Sequence, residues 1–380
     1  MLNYFVIFLV SFLTGIIFTW LIRLLAIKFK IIDWPKADSR HIHREATPLL
    51  GGLAVFLTFF LVLFSVYFSS AWPVKKIALF QPLTANIHLV TLKQLIAIFL
   101  ASCLIVIGGW LDDKYHFKPR KQIVWPILAT LIVIIGGVGI NYLNNPFGEG
   151  YLYLNHWQIE IFKINGVPFY FTPLADIFTF IWLMLVMYST KLLDGLDGLT
   201  AGMGLIGSAV IFCLSMLTIF YQPEIAVMAL VLSGACLGFL FFNFYPARIF
   251  LGEGGSLLVG FLLGTLAVIS GGKIAVTFLV LGVPILDLLW VVARRVFQEK
   301  KSPFSGDRKH LHFRLLDLGF SHRGAVIFIW LISLIFGLAS LFLRTKGKIF
   351  VLVFFVIFMS LLALVIILKE RRLKLKNYEK

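Results

Sequence analysis

Long apolar runs separated by short polar clusters recur along the whole chain. Windows of about 20 apolar residues, the length of a helix that crosses a bilayer, fall at 4–27, 50–70, 94–111, 123–140, 173–190, 199–220, 224–242, 255–271, 274–293, 325–343 and 349–368. The runs are longer than a soluble core requires, so the pattern predicts an all-α polytopic membrane protein with about eleven transmembrane helices. The first run has neither a basic leader nor a small-residue cleavage site, which predicts a retained helix rather than a removed signal. Residues 141–172 depart from the pattern. Their polar and apolar residues alternate, as in "YLYLNHWQIEIFKI", and predict a small external β-hairpin.

Composition agrees with this class. Of 380 residues, 60% are hydrophobic and 14% charged, and the mean hydropathy is +0.96, far from a soluble domain. Cys103, Cys213 and Cys236 all lie inside apolar runs, which suggests neither a disulfide framework nor a cysteine metal site. Net charge changes the picture more. Loops rich in Lys and Arg stay cytoplasmic, and with eleven spans the connecting segments alternate between two sides. One side carries 25 Lys and Arg, the other 8. The split predicts an N-terminus outside, a C-terminus in the cytoplasm and a basic cytoplasmic tail at 369–380. The charge of +16 therefore describes one face, suited to anionic lipids or substrates rather than to nucleic acid.

The chemistry-bearing residues fall on that same face. A carboxylate at the bilayer centre costs about 2.5–3.5 kcal/mol on insertion scales, so Asp112, Asp113, Asp194, Asp197 and Glu253, all at span ends, require water or a cation. Asp194 and Asp197 are one helical turn apart in "DGLDGL" and would share a face. Taken singly, each acid reads equally well as a solvated loop-end charge. Clustered without a cation they would repel and raise one another's pKa. Hard oxygen ligands without cysteine favour Mg²⁺, with Mn²⁺ as a substitute. In the loop at 294–323, His310 and His312 are flanked by Arg308, Lys309 and Arg314. Two histidines without a third ligand make a poor zinc site, whereas histidine and arginine beside an acid-bound cation suit a diphosphate. Arg294, Arg295, Lys300 and Lys301 read as a positive-inside anchor.

Five ordered segments carry a resemblance. The paired Asp112 and Asp113, the D-G-L-D-G-L run from Asp194 to Leu199, the run from Asn243 to Ser256, the His310-x-His312 loop, and an early pattern of Arg40, His43, Pro48, Gly51 and Gly52 together resemble the polyprenyl-phosphate N-acetylhexosamine-1-phosphate transferases. Within that family the context "DRKHLHFRLLDLGFS" is closer to the acetylglucosamine-phosphate branch than to the phospho-N-acetylmuramoyl-pentapeptide transferases, the main rival. The resemblance covers nearly the whole chain and implies a single integral membrane transferase domain over 1–380 in the plasma membrane, with its active site on the cytoplasmic face. It implies a donor UDP-N-acetylhexosamine, a polyprenyl phosphate acceptor held among membrane lipids, and release of UMP. A homodimer is compatible with it.

The resemblance also implies roles. Asp112, Asp113, Asp194 and Asp197 would be catalytic, and Glu253 would hold Mg²⁺ with Asp113 or Asp194. Lys191, Asn243, Arg308, His310, His312 and His43 would bind substrate. Four positions depart from the pattern the resemblance implies: Tyr188 and Lys191 stand in a segment that usually supplies asparagines, Glu253 stands where the family has aspartate, and Leu49 stands where an arginine is common. Asp112 as a base toward the acceptor phosphate and an aspartyl covalent intermediate are both open. A secondary transporter would place its acids near the midplane of repeated spans, a pattern this sequence does not show.

Overall fold

The computed structural model describes residues 2–34, 46–71, 91–145, 150–164, 167–217, 221–271, 274–302, 309–343 and 345–378, and the structural statements below concern these. His43 and Arg308 lie outside the described residues.

The chain is a helical membrane protein. Its helices are α1 (Leu2–Lys28), α2 (Gly51–Ala71), α3 (Leu92–Tyr115), a single turn α4 (Pro119–Gln122), α5 (Val124–Ile135), α6 (Pro173–Leu193), α7 (Leu199–Met216), α8 (Pro223–Asn243), α9 (Gly252–Ile269), α10 (Ile274–Val280), α11 (Gly282–Ala293), α12 (Leu311–Asp317), α13 (His322–Phe342) and α14 (Thr345–Tyr378). Each of the eleven apolar windows falls on helix. Among the described residues, eight helices are long and apolar enough to cross a membrane by themselves. Three windows are less regular. The described side chains of α2 form a shorter apolar stretch, Gly51–Tyr67. The window at 123–140 contains only the 12-residue α5, and that at 274–293 is α10 and α11, bent by 78° at Leu281. Pro284 explains the bend, since it cannot donate the N–H that a continuous helix would direct at the Val280 carbonyl.

Burial follows from composition. Helices α8 and α9 are apolar on every side and lie at the centre, with 89% and 83% of their apolar windows buried, against 17% for the peripheral α14. Helix α8 packs on α1 and α7, and α9 on α6, α3, α2 and α7. Close approach is made by glycine, as in many membrane helix pairs. A Cβ on Gly109 of α3 would overlap the backbone of Gly254 on α9, and one on Gly52 of α2 would overlap Gly255.

The expected single hairpin at 141–172 is two. Strand β3 (Tyr142–Asn144) pairs with β4 (Tyr151–Tyr153), and β5 (Ile159–Ile164) with β6 (Val167–Phe171), all antiparallel, the second pair interrupted between Glu160 and Phe162. At the other ends of the spans a two-residue ladder joins Ile32–Asp33 to Thr47–Pro48. The described part of the 294–323 segment is partly helical: a π-helical turn at Arg294–Gln298, then α12, and finally the start of α13. The segment at 369–378 continues α14, which reaches 34 residues, longer than the roughly 30 Å hydrocarbon core requires.

Candidate active site

The ends of α3, α6 and α8 with the starts of α7, α9 and α13 enclose a cavity of about 570 Å³, lined by Asp112, Asp113, Asp194, Asp197 and Glu253 together with Lys191. All five acids singled out from sequence meet there. Each side chain is set by a local backbone device.

Asp112 is buried, and its Oδ1 accepts from the Phe117 N–H at 2.8 Å and from Gln122 Nε2 at 3.2 Å. Gln122 then presents its Oε1 to Lys191 Nζ at 3.1 Å. The same ammonium lies 2.8 Å from Glu253 Oε2. Asp113 is tied to the opposite helix, its Oδ1 accepting the Glu253 N–H at 3.1 Å. Glu253 sits in the first turn of α9, where the helix dipole favours an anion.

Asp194 caps the C-terminal end of α6. The protein packed around it raises its carboxyl to about 7, desolvation being the main cause, with repulsion from Glu253 and Asp197 adding and a hydrogen bond with Thr200 opposing. The side chain is nonetheless open to the water of the cavity, so an arriving cation can restore its charge. Asp197 is held on both sides: its Oδ2 accepts the Ala247 N–H at 2.9 Å, and its own N–H donates to His322 Nε2 at 2.9 Å. Asn243 fastens two loops, accepting the Gly198 N–H at 3.0 Å and donating to the Ile249 carbonyl at 2.8 Å. It lines the cavity with its amide already engaged by backbone.

The histidine loop is placed differently from the expectation. His310 and His312 are buried and do not line the cavity. His310 Nδ1 pairs with Asp287 Oδ2 at 2.8 Å, and Asp287 Oδ1 accepts the Leu311 N–H at 2.9 Å. His312 abuts Gly195, where a Cβ would overlap its Nε2. Burial, then repulsion from His310, lowers its pKa to about 3, so this imidazole is neutral. His312 thus packs behind the D-G-L-D-G loop, and His310 stacks on His312 at 5.7 Å between ring centroids. Arg294 and Arg295 also turn inward. They are buried, with Arg294 Nε 3.4 Å from Glu299.

Several residues here were not singled out from sequence. Gln122 links two carboxylate-bearing helices, Asp287 orients His310, and His322 stacks on Tyr245 at 4.2 Å between ring centroids. The sequence carried one usable signal: His322 lies two residues past Phe320 in the same polar cluster as the His310 pair.

A second cavity of about 750 Å³ adjoins the first, walled by apolar residues of α1, α2 and α3 such as Ile22, Leu53, Val106 and Trp110. Asp33, Leu49, Asp113, His116 and Leu251 line both. A charged chamber and a greasy one therefore share a wall at Asp113.

The acid set suits a hard cation. Among the described residues no three His, Cys, Asp or Glu side chains converge as a metal cage. A cation here would be held by one or two carboxylates, with water and phosphate oxygens completing its shell, which is the habit of Mg²⁺.

Comparison with known proteins agrees with this arrangement. A profile of glycosyl transferase family 4 matches residues 95–271. The probable undecaprenyl-phosphate N-acetylglucosaminyl 1-phosphate transferase of Bacillus subtilis (strain 168) is 30% identical over 373 residues, 96% of this chain and 92% of the relative. The chain belongs to glycosyl transferase family 4. A second relative, the decaprenyl-phosphate N-acetylglucosaminephosphotransferase of Mycolicibacterium smegmatis, is 32% identical over 86% of this chain and 79% of its own length. The phospho-N-acetylmuramoyl-pentapeptide-transferase of Borreliella afzelii is more distant, at 27% identity over 81% and 84%. The family 4 match spans α3 to α9, the segment that supplies the five acids.

Proposed function

We propose that this transferase moves N-acetylglucosamine-1-phosphate from a UDP-sugar to a polyprenyl phosphate, releasing UMP and beginning a cell-surface glycan. One observation carries the reading: a chamber of six carboxylates and one lysine shares a wall with an apolar chamber. A diphosphate donor and an isoprenoid phosphate together require such a pair.

The chemistry is a displacement at phosphorus. An oxygen of the acceptor phosphate bonds to the β-phosphorus of the donor, the bond between the β-phosphorus and the bridging oxygen breaks, and UMP leaves with that oxygen. A phosphate monoester with a second pKa near 6 is already ionised at pH 7, so direct attack needs no base, and Asp112, held by two donors, acts to order Gln122 and through it Lys191. Positioning and charge compensation supply most of the rate in phosphoryl transfer. Glu253 with Asp113 or Asp194 would hold Mg²⁺, which when bound offsets the charge on the departing phosphate. Lys191 faces the same charge from α6, and the apolar chamber takes the isoprenoid chain.

Detergent-solubilised protein given Mg²⁺, polyprenyl phosphate and UDP-N-acetylglucosamine is expected to release UMP and form a lipid-linked sugar diphosphate. Chelation should stop the reaction and excess UMP should reverse it. No UMP from any UDP-N-acetylhexosamine, with lipid still bound, would overturn the reading. The charge split supports a site on the cytoplasmic face of the plasma membrane. A reporter fused after Lys380 should read cytoplasmic and one placed in the 141–172 loop external. Both reporting one compartment would refute that orientation.

A further inference from the structure

Lys191 and Glu253 are far apart in sequence, yet they touch. Their ion pair measures 2.8 Å, with side-chain exposures of 13% and 39%. Among the described residues lining the cavity, Lys191 is the one lysine or arginine, against six acids when Asp33 is included. Its ammonium is directed by Gln122, which hands a second hydrogen bond to Asp112. One side-chain cation thus serves Glu253 directly and Asp112 through a relay. An ammonium has three donors on a flexible stem, so it can exchange one anionic partner for another without moving the helix that bears it.

Resting on the transferase reading above, we propose that Lys191 is an internal counter-cation that occupies Glu253 in the free enzyme and transfers to the donor's diphosphate on binding, so that Glu253 accepts a divalent cation only when donor is present. Lys191 is thereby a positioning and ordering residue. Free cation is discouraged because it must displace or face a neighbouring positive charge. The diphosphate removes that charge from Glu253 and adds its own oxygens to the cation's shell. The two binding events then favour one another, and by linkage the coupling is reciprocal. An uncharged side chain at position 191 could not act this way, so the device requires the lysine and the glutamate together.

The experiment measures Mn²⁺ alone, counted as free ion by electron paramagnetic resonance, against detergent-solubilised full-length protein without nucleotide. Lys191→Met should bind Mn²⁺ at least about tenfold more tightly than wild type, since a unit charge a few ångströms from the site is removed. Lys191→Arg, which keeps the charge, should stay near wild type. In Lys191→Met with Glu253→Gln the gain should vanish, and Lys191→Met should separately show a raised KM for the UDP-sugar. Equal or weaker Mn²⁺ binding by folded Lys191→Met, or a gain that survives Glu253→Gln, overturns the proposal. If Lys191→Met fails to fold, Lys191→Arg binding Mn²⁺ tenfold more tightly than wild type would overturn it as well. These titrations contain no donor or acceptor, so their outcome is distinct from the failure of wild-type protein to release UMP, which would sink the transferase reading instead.

Discussion

Asp194→Asn is expected to lower the rate of UMP release by on the order of 10² or more, the usual cost of losing one charge-stabilising group in a transfer reaction. Asp194 faces the open cavity from the end of α6, and its raised carboxyl pKa, driven by desolvation and then by Glu253 and Asp197, marks it as an acid that gains from an arriving cation. Asparagine is isosteric but brings no charge. The loss should appear in kcat with Mg²⁺ saturating, and the variant should elute and melt like wild type, because neutralising an acid at a span end does not penalise insertion. Asp112→Asn should show a comparable loss with a different signature. Its amide would offer a donor to Gln122, turn that side chain, and release Lys191 from the relay. A rate within a few-fold of wild type for folded Asp194→Asn would remove this residue from the reacting centre.

Gly109→Ala is expected to be nearly as damaging without touching any charge. The added methyl would overlap Gly254 Cα and N across the α3–α9 contact, and neither partner is a side chain that can rotate away. Overpacking of this kind costs about 1–3 kcal/mol, and here it also parts two functional groups. Gly109 lies one turn before Asp113 on the same face, and Gly254 directly follows Glu253. Separating the helices therefore breaks the bond from the Glu253 N–H to Asp113 Oδ1. A lower melting temperature in detergent and a large loss of UMP release should come together. Gly139→Ala is the control, since the nearest atom to its Cβ would be 3.6 Å away. If Gly109→Ala melts and turns over like Gly139→Ala, the close helix contact does not set the site.

Much of this was legible in the linear pattern, for physical reasons. Membrane insertion forces backbone hydrogen bonds inside helices, so hydropathy located the spans. Parity then forced Asp112, Asp113, Asp194, Asp197 and Glu253 to one end. What one dimension cannot reveal is which polar group turns inward. His310, His312, Arg294 and Arg295 sit in a basic cluster that looks solvent-facing, but buried partners such as Asp287 draw His310 in. The bend at Leu281 was hidden because Pro284 lies in an apolar run whose hydropathy is unaffected by lost backbone geometry. Gln122 escaped notice because a neutral amide carries no composition signal, and its importance comes only from standing between Asp112 and Lys191.

Helix α6 also has a meaning for variation. It begins just after the β5–β6 hairpin and ends at Asp194, so about 30 Å of helix insulates the hairpins from the carboxylates. The two ends of the molecule answer to different demands. The hairpin end can lengthen, shorten or accept a grafted epitope as long as α5 and α6 keep their register, while a single-residue insertion inside α6 would rotate Lys191 by about 100° away from Glu253. The hairpins are thus the natural place for lineage-specific remodelling, on a scaffold whose opposite end tolerates almost none.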